Sequence, residues 1–184
     1  TNIKSLTIQN PDTVIGDFAF EECVDLTSVT LPDNGRVKIG NYAFAFTAYD
    51  GTDENGVMKY KTLTIKNLEY ATEIGEYAFR GSGIGNATIT LGENNSVKEG
   101  AFYQSAVRSL TVKVGNGGGK VDLGAFYSCR YLQSVKFERV AGMDGKIEFG
   151  NTTFADCLAL TDVEFDNVTD VIPVQMFYGC TSLK

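Results

Sequence analysis

A short phrase of apolar positions, apolar-x-x-apolar-x-apolar, runs through the whole chain. It reads Ile3/Leu6/Ile8, Leu26/Val29/Leu31, Tyr60/Leu63/Ile65 and Ile84/Ala87/Ile89, then Val107/Leu110/Val112, Leu132/Val135/Phe137 and Leu160/Val163/Phe165. Alternation of apolar and polar residues at the end of each phrase predicts a short strand with one face turned inward. Segments such as Ser5-Leu6-Thr7-Ile8 and Thr62-Leu63-Thr64-Ile65 are rich in β-branched residues, which suit a pleated surface.

A second landmark follows each phrase. Phe20, Phe44, Phe79, Phe102, Phe126, Phe154 and Phe177 are spaced by 24, 35, 23, 24, 28 and 23 residues. Five residues before each stands an apolar residue, Ile15, Ile39, Ile74, Val97, Val121, Phe149 or Ile172. Immediately before it stands Ala in five units, then Thr153 and Met176. A period near 23 with longer members is the signature of a solenoid. The Ile-Gly-x-x-Ala-Phe stretch is expected to make a turn and a short helical turn that inserts Ala and Phe into the core. The predicted fold is a leucine-rich-repeat solenoid: stacked coils of about 23 residues with a parallel β-sheet on one face, and turns and short helical segments on the other. Residues 1–184 are expected to form a single repeat array of about seven coils. Lys184 follows Leu183 where an eighth unit would begin, so the array is expected to be a fragment of a longer solenoid.

Composition narrows the function classes. No apolar run approaches the roughly 18 to 20 residues of a membrane helix, so no membrane span is expected in this segment. Sixteen basic against 23 acidic residues give a net charge of −7, and the basic ones are scattered. That balance argues against nucleic acid as a partner, whose binding depends on neutralising phosphates. Histidine is absent. Ser or Cys nucleophiles activated by His are thereby excluded, leaving carboxylate, Lys or Tyr chemistry. No catalytic, cofactor-binding or metal-binding residue is assigned, and no cofactor is expected.

Several local features have structural explanations. Cys23, Cys129, Cys157 and Cys180 all lie three residues after a repeat Phe, where the other coils carry Thr47, Ser82 and Ser105. The slot accepts a small, weakly polar side chain, so the cysteines are expected as reduced thiols in one internal column. Without a C-x-x-C pair, zinc is disfavoured. Gly115-Asn116-Gly117-Gly118-Gly119-Lys120 and Gly81-Ser82-Gly83-Ile84-Gly85 lack the context of nucleotide-binding loops. The 35-residue unit holds an insertion at residues 49–59, with an Asn55-Gly56 hairpin signal. It is expected to project from the array, a solvated turn rather than a calcium loop. Asn86, Asn94, Asn151 and Asn167 open glycosylation tripeptides, which are expected to be silent in a bacterial protein.

Ile15-Gly16-Asp17-Phe18-Ala19-Phe20-Glu21-Glu22-Cys23-Val24-Asp25-Leu26 resembles the repeat of the BspA-like leucine-rich repeat family in full, and the pattern covers essentially the whole chain. Lys98, Asp122 and Pro173 depart from it at the first Gly. The resemblance implies an extracellular or cell-surface protein of the kind associated with adhesion, with a host or microbial surface protein or glycan as partner.

The residue between the two inward strand positions is expected to face outward. Thr7, Thr30, Thr64, Thr88, Thr111, Lys136 and Glu164 should then form a single exposed column with a spacing near 4.8 Å. This column is the candidate partner-binding face. A flat threonine array would also suit ice, but no Thr-x-Thr repeats and the column ends in Lys136 and Glu164. A protein- or glycan-binding module of the adhesion type leads, a structural spacer presenting other domains is the alternative, and an enzyme is the remotest.

Overall fold

A computed structural model describes residues 2–93 and 95–184; of the four tripeptides named above, the one opened by Asn94 lies outside the described residues. The chain winds into stacked coils with two strands each. The first strands are β1 (Ser5–Thr7), β3 (Ser28–Thr30), β7 (Thr64–Lys66), β9 (Asn86–Leu91), β11 (Ser109–Val114), β13 (Ser134–Arg139) and β15 (Asp162–Phe165). The second strands are β2 (Val14–Ile15), β4 (Val37–Ile39), β8 (Ala71–Ile74), β10 (Ser96–Val97), β12 (Gly119–Val121) and β14 (Ile147–Phe149). An antiparallel hairpin of β5 (Tyr49–Thr52) and β6 (Met58–Tyr60) fills the insertion.

The second strands make one continuous parallel sheet in the order β14-β12-β10-β8-β4-β2. Its inward residues Ile15, Ile39, Ile74, Val97, Val121 and Phe149 stand in register, as their common offset from Phe requires. The first strands instead split into β1-β3-β7 and β15-β13-β11-β9.

The split arises in the unit that carries the insertion. Val29 pairs with Ile65 rather than Leu63, and Leu63 bridges to Ile84. Leu63, Ile65 and Leu68 therefore replace the expected Tyr60/Leu63/Ile65 triplet. Leu63 is buried beside Ile84, and Leu68 is buried in a 3-10 turn, Leu68–Tyr70, entered through Asn67 at φ 66°. The first gap is one residue shorter than in other units, so β7 and β9 do not pair, and a single bridge, Leu63 to Ile84, joins the two strand sheets among the described residues.

The core is a stack of rings. Phe20, Phe44, Phe79, Phe102, Phe126, Phe154 and Phe177 lie face to face, with centroids 5.2, 5.4, 5.0, 4.7, 5.2 and 5.7 Å apart. Ala43, Ala78, Ala101, Ala125 and Thr153 beside them are wholly buried. Each buried ring contributes about 1.5–3 kcal/mol, and each depends on the coil above and below.

The Ala-Phe stretch is not helical. At each of the seven repeat Phe residues, the residues two before and two after take left-handed backbone, from Phe18 and Glu22 to Gln175 and Gly179. Non-glycine residues there cost roughly 1 kcal/mol each. The geometry turns alternate N–H groups along the array. Phe18, Phe20 and Glu22 donate to the Asn41, Ala43 and Ala45 carbonyls at 2.9, 2.8 and 2.9 Å, and the same three bonds recur at every junction through Thr152, Phe154 and Asp156. A helical turn would spend those donors within its own coil.

Four slot residues three after the Phe donate back to a Phe carbonyl of the preceding coil. Thr47 reaches Phe20 at 3.0 Å, Cys129 reaches Phe102 at 3.0 Å, Cys157 reaches Phe126 at 3.3 Å and Cys180 reaches Phe154 at 3.1 Å. No disulfide joins the cysteines among the described residues. The Gly-rich stretches are loops of close approach: a Cβ on Gly83 would stand 2.0 Å from the Lys61 carbonyl oxygen, and one on Gly118 1.7 Å from that of Lys146.

Candidate partner-binding surfaces

Strands β9, β11, β13 and β15 pair in register, and Ala87, Leu110, Val135 and Val163 turn inward with Ile89, Val112, Phe137 and Phe165. The intervening residues turn outward as parallel columns. Thr88, Thr111, Lys136 and Glu164 form one, and Asn86, Ser109, Ser134 and Asp162 form the next. Ser109 hydrogen-bonds Asn86 across the strands at 3.2 Å. Lys136 and Glu138 pair at 3.1 Å, and this bond raises the pKa of the Lys136 ammonium. The outward columns carry no aromatic or aliphatic side chain.

The single seven-residue column is corrected by the register. Thr7 pairs with Thr30, but Thr30 is followed by Lys66, and Thr64 stands beside Ser28. The structure thus brings together Thr7 with Thr30, and Thr88 with Thr111, Lys136 and Glu164; Thr64 belongs to a neighbouring column. The one-residue redistribution around Leu63 is the cause.

A second surface was missed by sequence reasoning. The hairpin does not project. It folds back across later coils at the N-terminal edge of the strand face, where Tyr60 donates its hydroxyl to the Gln104 carbonyl at 2.7 Å and Tyr131 donates to Met58 at 3.2 Å. Tyr60 meets Tyr131 edge to face at 6.1 Å and Tyr49 at 6.3 Å. Burial pushes the Tyr60 phenol pKa far up. At the tip, the Asp53 carboxylate accepts from the Asn55 and Val57 N–H groups at 2.8 and 2.9 Å, so the turn itself uses the central acidic residue. The available signal was aromatic residues in an insertion that the core does not need.

Two clefts flank the Tyr60–Tyr131 contact. One, of about 170 Å3, lies between Met58 and Ser128. The other, of about 340 Å3, is lined by Lys59, Lys61, Thr62 and Arg108, with both tyrosines. The Arg108 guanidinium sits 5.6 Å from the Tyr131 ring centroid, and Lys61 pairs with Asp25 at 2.8 Å. Further round the coil, Phe18, Tyr42, Tyr77, Tyr103 and Tyr127 form a continuous surface stripe of rings 5.2 to 6.2 Å apart, and Tyr127 donates to Asp156 at 2.8 Å. No group of three or more His, Cys, Asp or Glu residues among the described residues is arranged to hold a metal ion. No helix among them is long and apolar enough to cross a membrane.

Comparison with solved structures finds three bacterial proteins. A leucine-rich repeat protein from Eubacterium ventriosum ATCC 27560 is 17% identical, with a TM-score of 0.44, covering 98% of this chain and 65% of its own. A leucine rich cell surface protein from Faecalibacterium prausnitzii A2-165 is 20% identical, with a TM-score of 0.31, covering 100% and 75%. A leucine-rich repeat protein from Bacteroides ovatus ATCC 8483 is 18% identical, with a TM-score of 0.36, covering 98% and 65%. The chain thus spans just under two thirds of the length of the first and third. No curated protein matches it in sequence. The model of the BspA type leucine rich repeat region matches six copies over residues 1–51 and 55–184. Nearly every residue is covered, and the chain belongs to the BspA-type leucine-rich repeat family.

Proposed function

We propose that this chain is an extracellular or cell-surface binding module of the adhesion type, which docks a host or microbial protein or glycan on its strand face. The observation that carries this is the in-register sheet β9-β11-β13-β15, whose outward columns are polar and free of core duty. Thr88, Thr111, Lys136 and Glu164 form the centre of the docking surface, with Thr7 and Thr30 on the other sheet and Thr64 in a side column. A row of hydroxyls ending in opposite charges can hydrogen-bond a glycan or a polar protein surface. It lacks the aromatic and arginine anchors of tight interfaces, so single-site binding is weak and gains strength by multivalent display.

An enzyme is not favoured, because the two clefts beside the hairpin hold a single carboxylate, Asp50, and so no pair of carboxylates for acid–base work. A spacer role is favoured by one observation, the evenly polar strand face. Substitution of Thr88, Thr111 and Lys136 by Glu tests between the two. A glycan and host-protein array should show binding by the native chain and loss of about tenfold or more in the folded triple variant. An array with no hits would leave the spacer.

A further inference from the structure

We infer that the larger cleft beneath the hairpin is a binding site for a carboxylate-bearing sugar. The inference rests on the chain being a binding module but not on the strand face, and its ligand chemistry comes from a different set of residues.

Charge is the first argument. The chain carries a net −7, yet this cleft gathers Lys59, Lys61 and Arg108 against a single acid, Asp50. Lys61 is already paired with Asp25. Neither Lys59 nor Arg108 has an acidic partner within salt-bridge distance among the described residues. Two unpaired cations in an acidic protein, placed at the rim of a concave site, favour an anion. Arg108 is further suited to a carboxylate: its guanidinium lies against the Tyr131 ring, and a planar fork binds the two oxygens in parallel.

The rest of the lining selects the body of the ligand. Ala106 is the one aliphatic side chain that lines it, so its apolar surface is that of flat rings rather than an aliphatic pocket. Tyr60 and Tyr131 supply flat apolar surface, Thr62 a hydroxyl, and Asp50 an acceptor for ligand hydroxyls. Flat rings with hydroxyl partners suit a polyhydroxylated ring. The volume of about 340 Å3 lies at the small end of ligand sites, roughly 300–1,000 Å3, and suits one or two sugar units. The site is held by the fold, because Gly83 lets the Lys61 backbone approach and Tyr60 is anchored to Gln104.

The test is isothermal titration of the 184-residue chain with a glucuronate-terminated disaccharide, its uncharged methyl ester, its neutral glucose counterpart and a short peptide carboxylate. The acidic sugar should bind, weaken as salt rises, and lose about tenfold or more on esterification or in Arg108→Ala. Arg108→Lys should recover part of the loss, since it restores charge but not the fork. A charge-neutral strand-face variant, Thr88→Ala with Thr111→Ala, should bind the acidic sugar unchanged, so failure of the docking face and failure of this cleft read out separately. Equal binding of acid and ester, undiminished binding by folded Arg108→Ala, or a peptide carboxylate binding as tightly as the sugar would each overturn the inference. So would the absence of binding by glucuronate, galacturonate and sialate saccharides alike.

Discussion

The slot three residues after each Phe illustrates how a repeat tolerates different residue types while keeping one interaction. Thr47, Cys129, Cys157 and Cys180 share little but a small side chain with a hydrogen to give, and each gives it to a Phe carbonyl. Cys157→Val keeps volume but removes one of the two hydrogen bonds to the Phe126 carbonyl, which retains the Cys129 N–H, and should cost about 0.5–1.5 kcal/mol in chemical denaturation. Ser82 breaks the rule: its hydroxyl is buried without a partner, so Ser82→Ala should be neutral or mildly stabilising. Thiol chemistry should follow position. Cys180 is half-buried, and the neighbouring Cys157 thiol lowers its pKa, whereas the neighbouring Cys129 and Cys180 thiols, with burial, push that of Cys157 well up. Alkylation of the native chain read by mass spectrometry should mark Cys180 first, at a lower pH than an ordinary thiol; equal labelling of Cys157 would show a looser core. This slot and the Phe ladder were legible in the sequence, because their offsets within a coil survive any change in loop length. The left-handed positions were not, since Phe18, Tyr42, Gln104 and Thr152 carry no preference for that backbone and hold it only through bonds to the next coil.

Among the elements, the hairpin was readable and its destination was not. Asn55-Gly56 and the long unit announced a turn, but Tyr60 and Tyr131 are distant in sequence and meet only once the coils stack. Tyr60 also mimics the first apolar position of its unit, which Leu63 holds, and reading it so places Thr64 in the wrong column. Because Tyr60 is anchored at Gln104 and packed on Tyr131, the hairpin stabilises the array rather than decorating it. Tyr60→Phe removes one hydrogen bond and should cost about 1 kcal/mol, or roughly 2–4 °C in melting temperature. Replacing residues 50–59 by a two-residue turn should cost several degrees more. A deletion variant melting with the native chain would show that the contacts add nothing.

In the isolated 184-residue chain, stability is a sum over neighbouring coils, and the first and last of its coils each have one neighbour fewer. Val14 and Phe18 at one end, and Val171, Ile172, Val174 and Tyr178 at the other, are well exposed. Hydrogen exchange should therefore be slowest between residues 101 and 137 and fastest near the ends; uniform exchange would indicate a single cooperative unit. Between β7 and β9 the strand sheet is interrupted, while the sheet of second strands runs on without a break. The hairpin starts on one side of that seam, between Ala48 and Lys61, and is pinned on the other by Gln104 and Tyr131. It acts as a splint: under tension along the long axis, coils on either side of the seam would part on the strand side first, and they could do so only after the two tyrosine anchors let go.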